Sequence, residues 1–473
     1  MKILFTVIFS CVLFSNTFSQ VPVLALPSNT FFMKGGQSFV KVQNGYLGVR
    51  KYVSLHKNVH KTQLNRLNVS VVNYDDRMVE LSENKFSDGE FVYGMLEPQI
   101  IKGEKIWVIC ADPAKWIQPG NIKAVEIDPQ THKPGVSKII FSQEELDEAV
   151  GDFISFKLII KSSPNAKYHC FYFANADDKK FYMACLNSNF EPVWKGKIQI
   201  PETNTSQISG ININNKGEIV LASITKSVAS FSIYNVNGGV THKPIDFGNV
   251  KPTFIDILES KSGNMYIGGT AMKDSKLKNV VFLAKLEKDY TLSDMKQVDI
   301  VDNILDRLAK DGLAKNDDKK TGLTGNIIHS QLVEQHDGKI KLVTETTYGD
   351  DDSNSFMGFG GLIITDFNKI ADQFSLIPKF VVDVDGRPRV NQFVVVPSAN
   401  SITVFYCDNE ENINIDLKDR QKALNGRANS GLYAATIDND GIISRKIVAI
   451  RTGKDDYRQT AQLIQTYIAG GQK

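Results

Sequence analysis

A weak internal repeat runs from residue 37 to residue 450, and it limits what this chain can fold into more than any other feature. Each of about seven copies reads as strand, tight turn, strand, variable loop, strand, tight turn, strand. The second strand shows it best. Its copies are NGYLGVRKY at 44–52, GEKIWVICAD at 103–112, AKYHCFYFAN at 166–175, GEIVLASIT at 217–225, GNMYIGGTA at 263–271, GKIKLVTETT at 338–347 and NSITVFYCDN at 400–409. Most have Gly or Asn just before the strand, where a hairpin needs positive φ. A second series marks the turn between the third and fourth strands, from NYDDR at 73–77 through LNSNFE at 186–191 and NVNGG at 235–239 to DNDGI at 438–442. Asp, Asn and Gly dominate there because they satisfy turn amides or tolerate left-handed backbone.

Burial turns the repeat into an architecture. FKLIIKS at 156–162, ISGINI at 208–213, FIDILES at 254–260 and QFVVVPS at 392–398 are too apolar to leave a face in water. One small sheet cannot bury both faces, whereas a ring of sheets packed face to face does. The expectation is an all-β chain: one β-propeller domain over 20–473, with about seven four-stranded blades and a short helical insertion. Six or eight blades are the alternatives, because the first copy is irregular and 451–473 is unassigned. The tail YRQTAQLIQTYIAGG reads as a ring-closing strand or as a short helix packed outside. A two-sandwich β protein is the competing fold. In this pattern the chain resembles bacterial exported β-propeller proteins. It carries no WD, kelch, Asp-box or quinoprotein blade motif, so the resemblance implies no particular site residues.

The first nineteen residues read as a secretory signal peptide. Lys2 precedes the apolar run ILFTVIFSCVLF, and Thr17 and Ser19 are small residues at −3 and −1 of a cleavage site before Gln20. No later stretch reaches the length of a membrane-spanning helix. The mature chain is therefore expected to be secreted or periplasmic. Lys plus Arg number 55 against 53 Asp plus Glu, with no basic stripe, which argues against a nucleic-acid partner. Cys110, Cys170, Cys185 and Cys407 remain after cleavage, too few for a disulfide-built scaffold. A hairpin turning at Asp177-Asp178 sets Cys170 opposite Cys185, so the pair is either a disulfide or two buried neighbouring thiols, the second reading being preferred.

Connections in a propeller alternate between two faces. The first-to-second and third-to-fourth turns share one face and are uniformly short here. The long insertions, at 53–66, 111–119, 143–153, 301–325, 348–357, 379–389 and 408–429, all fall on the other. Loops on a rigid scaffold are where binding and chemistry usually sit. Candidate ligand-binding residues on that face are Trp116 in a Pro-flanked loop, His329 near the channel opening, and Asp383 and Asp385 in a DVDG segment. Asp350, Asp352 and Asn354 make an oxygen-rich loop of the kind calcium accepts, though without EF-hand spacing, and a solvated acidic loop is the simpler reading. His56 and His60, four apart, would share a helix face but lack a third zinc ligand. VDNILDRLAKDGLAKNDDKK at 301–320 has helical spacing, and Ser142 with Glu145 marks a single capped helical turn.

No Gly-x-Ser-x-Gly elbow, phosphate loop or Cys-x-x-Cys pair appears. The preferred expectation is an exported, non-catalytic propeller that binds a glycan, a peptide or an envelope protein on its long-loop face. One alternative is an extracellular hydrolase or lyase cutting a polymer with carboxylates at the channel mouth. The other is a structural component of a cell-envelope assembly docking through 301–325.

Overall fold

The structure, a computed structural model, describes residues 24–25, 39–57, 63–75, 80–91, 99–112, 120–150, 156–175, 180–198, 207–224, 228–273, 278–300, 304, 327–349, 357–370, 373–379, 381–383, 393–398, 400–419, 422, 424–425 and 430–450. After a short β1 (Leu24–Ala25), consecutive strands form seven sheets in chain order. Blade 1 is β2 (Phe39–Val42), β3 (Gly45–Lys57), β4 (Gln63–Tyr74) and β5 (Glu80–Phe91). Blade 2 is β6 (Gln99–Lys102), β7 (Ile106–Ala111), β8 (Ile122–Ile127) and β9 (Pro134–Phe141). Blade 3 is β10 (Phe156–Ser162), β11 (Tyr168–Asn175), β12 (Lys180–Asn187) and β13 (Pro192–Lys197). Blade 4 is β14 (Gln207–Ile213), β15 (Ile219–Ile224), β16 (Ala229–Tyr234) and β17 (Val240–Ile245). Blade 5 is β18 (Val250–Glu259), β19 (Met265–Lys273), β20 (Lys278–Leu286) and β21 (Leu292–Asp299). Blade 6 is β22 (Ile327–Glu334), β23 (Ile340–Gly349) and β24 (Met357–Asp366), with β25 (Phe374–Ile377) and β26 (Val381–Asp383) sharing the fourth position. Blade 7 is β27 (Val394–Pro397), β28 (Ser401–Asn409), β30 (Ser430–Asp438) and β31 (Ile443–Ile450), while β29 (Leu424–Asn425) joins blade 6.

This is a seven-bladed β-propeller, and the two-sandwich alternative is excluded by how side chains alternate. Phe171 and Phe173 pack into a cluster shared with blade 2, while Cys170 and Tyr172 between them pack into one shared with blade 4. Phe282 and Ala284 likewise face blade 4, and Val281 and Leu283 face blade 6. A strand of period 2 with both faces buried needs a neighbouring sheet on each side. Blades approach closely at their innermost strands. Gly210 on β14 leaves no room for a Cβ, which would sit 2.7 Å from the Ile255 carbonyl of β18. Ser209 Oγ accepts from the Ile255 amide at 2.6 Å, and Asp256 Oδ2 accepts from the Leu332 amide of β22 at 2.8 Å. These bonds tie blades 4, 5 and 6 together at the channel wall.

The short-turn face repeats one device. Ala166, Phe190, Gly217, Gly238, Gly263, Tyr290, Gly338 and Gly441 all take positive φ and donate their amides to the carbonyl three residues earlier. This is a type I turn followed by a left-handed residue. In four of these turns, Asn187, Asn214, Asn235 or Asp438 accepts from the amides two and four residues ahead at 2.8–3.0 Å. The turns satisfy most of their own backbone, and some also bond to the next blade: the Asn165 amide to Asn215 Oδ1, the Lys261 amide to Glu334 Oε2 and the His336 amide to the Ser398 carbonyl.

Elsewhere the fold corrects the sequence reading. Within 53–66, residues 53–57 and 63–66 are not loop but continue β3 and β4, which pair antiparallel with His56 opposite Leu64. His56 thus lies on a strand rather than a helix, and His60 falls outside the described residues. The single turn expected at Ser142 is an eight-residue helix, α1 (Gln143–Val150). Its capping box is formed, with Ser142 Oγ accepting from the Glu145 amide and Glu145 Oε2 from the Ser142 amide. Of 301–320, Ile304 alone is described; it is helical and buried against blades 5 and 6. The signal segment and the 451–473 tail lie outside the described residues, and β1 pairs in parallel with the outer edge of β31. No helix among the described residues is long and apolar enough to cross a membrane.

Cys170 and Cys185 are register partners, as the hairpin reading expects, and both thiols are free and fully buried. Burial pushes Cys110 and Cys185 up to about 12 and raises Cys170 as well. An aromatic disulfide reagent is therefore expected to leave these thiols unmodified in the native protein at mildly alkaline pH and to label them once urea is added. Peptide mapping reads the result, and a linked Cys170–Cys185 peptide would contradict it.

Candidate functional site at the sixth and seventh blades

Among the described residues the buried acids and lysines are Lys341, Glu345, Asp366, Lys379 and Asp408, and all lie in blades 6 and 7. The other blade interfaces are built of apolar side chains. Local sequence explains how the charges get there. β24 pairs with β25 over Leu362–Thr365 and with β26 over Met357–Phe359. Pro378 stands between the two partners, and proline has no amide to continue a ladder. The chain breaks there, and Lys379 turns inward to ion-pair with Glu345 of β23. Both side chains are 1% exposed. Burial raises the Glu345 carboxyl despite the opposing pull of Lys379.

Asp408 ends β28 and is fully buried. Its Oδ1 accepts from Asn412 Nδ2 at 2.9 Å and from the Asn409 amide at 2.8 Å, while Oδ2 has no hydrogen-bond partner among the described residues. Burial pushes this carboxyl up to about 7, although those two bonds, Lys379 and Arg445 all pull it down. Asn412 sits in the 3-10 helix Glu410–Asn414 and grips Lys422 at both backbone groups: Oδ1 accepts from its amide at 2.7 Å, and Nδ2 donates to its carbonyl at 2.9 Å. Arg445 Nη2 donates to the carbonyls of Asn412 and Ile415, and its guanidinium lies 5.8 Å from the Tyr433 ring centroid. Tyr433 donates its hydroxyl to the Asn409 carbonyl at 2.7 Å and stacks on Tyr406 at 5.5 Å.

These contacts build a strap. The connection between the second and third strands of blade 7 leaves at Asn409, coils once, and crosses the blade boundary. There β29 pairs in parallel with β26, Val381 opposite Leu424, on the outer side of blade 6. Glu411 and Lys422 pair on its exposed surface. The strap lies on the face the sequence marks as elaborated, within the 408–429 insertion.

Two of the residues expected to bind a ligand fall on blade 6. His329 lies on β22 in register with Glu345, and Asp383 ends β26 in register with Met357. Trp116, Asp350, Asp352, Asn354 and Asp385 lie outside the described residues. Among the described residues no three His, Cys, Asp or Glu are grouped to hold a metal ion. Sequence reasoning missed Glu345, Lys379, Asp408, Asn412 and Arg445. A usable signal was present at Asp408, a carboxylate following the apolar run ITVFYC of a second strand.

The contacts of the cluster are those of a lock. Glu345, Lys379 and Asp408 are closed to solvent in this structure. Burial raises two carboxyls on the innermost strand β18, Asp256 and Glu259, and Asp256 accepts from the amides of Ile257 and Leu332. On the opposite face Ser162 Oγ lies 2.9 Å from His169 Nδ1, the spacing of a nucleophile and its base. His169 is buried and stacked on Phe190 at 4.4 Å, and burial pushes it down to about 4. So weak a base is a poor activator of a hydroxyl.

No family model and no curated protein matches the chain. Among solved structures, prolyl oligopeptidase B from Galerina marginata, bound to a 35mer substrate, is 9% identical with a TM-score of 0.40, over 88% of this chain and 48% of that one. The chain thus spans about half the length of that protein. A protein from Lactobacillus plantarum is 12% identical with a TM-score of 0.39, over 89% and 99% of the two chains. A eukaryotic initiation factor is 11% identical with a TM-score of 0.34, over 88% and 85%. Likenesses this low carry no argument about function.

Proposed function

We propose that this protein is an exported, non-catalytic propeller that binds a ligand or protein partner on its long-loop face. One observation carries the reading: that face bears a built strap, anchored by a buried polar lock, whereas the opposite face is closed by short turns of one repeated type. A charged lock costs desolvation free energy that an apolar contact does not. Its retention under one insertion fits a surface whose shape is being held. Glu345 and Asp408 are committed to that lock, which favours a binding role for the protein over the polymer-cleaving alternative. The signal-like N-terminus supports export, and the glycan or peptide class follows from the loop-face residues Trp116, His329, Asp383 and Asp385.

The test is a labelled-protein screen on glycan and peptide arrays, followed by affinity measurements with the ligand it finds. Trp116→Ala and the strap-surface double variant Glu411→Ala/Lys422→Ala are expected to weaken binding about tenfold or more. Lys216→Ala, on the short-turn face, should bind as the parent does. Loss of binding in Lys216→Ala alone, with the loop-face variants unaffected, would reverse the assignment.

A further inference from the structure

The base of the strap holds a group that a purely mechanical clasp does not need. Asp408 is fully buried; one of its oxygens carries two hydrogen bonds, and the other has none among the described residues. An ionised carboxylate taken out of bulk solvent with one oxygen lacking a protein donor is disfavoured against the neutral acid. The groups that face it come from every element packed around it. Lys379 enters from the β25–β26 connection with its partner Glu345 behind it on β23. Arg445 comes from β31, Tyr433 from β30, and Tyr406 from the same strand. Glu410 and Glu411 start the 3-10 helix above. The two cations act against neutrality, but each already has other partners: Lys379 the Glu345 carboxylate, Arg445 the carbonyls of Asn412 and Ile415.

Asp408 is also where the strap begins. Its Oδ1 holds Asn412, and Asn412 holds both backbone groups of Lys422. Opening this short coil is the least disruptive way to bring water to Oδ2, because β28 and β30 stay paired along Ser401–Asn409.

We propose that the strap described by residues 410–419, 422 and 424–425 is pH-gated, clasped onto blade 6 while Asp408 is protonated and released when that proton is lost. The sign follows from linkage. With the carboxyl raised in the clasped state from 3.8 to about 7, the clasped protein holds more protons than the open one across that interval. The clasp therefore has this contribution in full below about 3.8, loses it progressively as pH rises from there, and has lost it above about 7. The gate stands whether or not the face binds a ligand; if it does, the gate exposes blade 6 and the strap's inner side on moving from acidic to alkaline surroundings.

Trypsin reads the strap directly, because Lys418 and Lys422 lie within it. Cleavage there is measured on the full chain between about pH 5.5 and 8.5. Each rate is divided by that of a free peptide of residues 414–426 under the same conditions, which removes the protease's own pH dependence. The normalised rate is expected to rise roughly tenfold or more across this range. Asp408→Asn keeps a neutral acceptor at the same place and should be cut slowly at every pH. Hydrogen exchange by mass spectrometry, corrected for intrinsic rates, should show the same rise in 410–425 and none in 168–175 of blade 3. A change below about twofold in the wild type overturns the proposal. So does an Asp408→Asn variant that keeps the full rise, or exchange that increases across the whole molecule. If Asp408→Asn fails to fold, the wild-type exchange profile decides alone.

Discussion

Lys379→Ala is expected to destabilise the folded protein by about 3–5 kcal/mol. The loss comes less from the attraction removed than from the charge left behind. Glu345 is 1% exposed and its cationic partner is Lys379, so removing the ammonium strands a carboxylate where water does not reach. That carboxyl is already raised by burial with Lys379 present, and the variant must take up a proton or open the blade interface. The double variant Glu345→Leu/Lys379→Met removes both charges at similar volume and should recover stability to within about 1 kcal/mol of the parent, or exceed it. Urea unfolding followed by tryptophan fluorescence measures both, since Trp107 is buried between blades 2 and 3. A single variant costing under about 1 kcal/mol would mean that water reaches the pair.

Phe282→Ala should cost a similar amount, about 3–5 kcal/mol, for the opposite reason. Phe282 is fully buried in the apolar cluster of blades 4 and 5, its ring 5.1 Å from that of Phe247 in a T-shaped contact. No charge is stranded; a cavity opens between two sheets whose inner strands are held by the Ser209–Ile255 bonds and cannot collapse into it. Phe282→Leu fills most of that volume and should cost under about 1.5 kcal/mol. The two sites differ in their response to a second substitution. The ion pair is rescued by deleting its partner, whereas a Phe247→Ala change added to Phe282→Ala deepens the loss.

The repeat was legible because it is local. Each turn needs a left-handed residue, and Gly217, Gly238, Gly263, Gly338 and Gly441 are spaced to supply it. Phe190 and Tyr290 take the same conformation without being glycine, and Asn187 and Asp289 ahead of them mark those turns instead. The capping box at Ser142 was legible for the same reason, although the length of α1 was not: Leu146 extends the helix by packing into the cluster of blades 2 and 3. The 53–66 segment misled because polar residues where β3 and β4 continue look like those of a loop.

The lock was hardly legible at all. Glu345 lies 34 residues from Lys379, and Asn412 lies 33 from Arg445. Nothing in composition or spacing marks such residues as partners. By itself the sequence determined the period, the turn chemistry, the apolar alternation that demands a sheet on both sides, and which face carries the insertions. Those follow from backbone conformation and burial, which act over a few residues. Only the tertiary structure decided which charges are taken out of water together, and that one insertion bridges two blades. Desolvation depends on what the ring of sheets closes over, and a side chain far along the chain supplies half of every such contact.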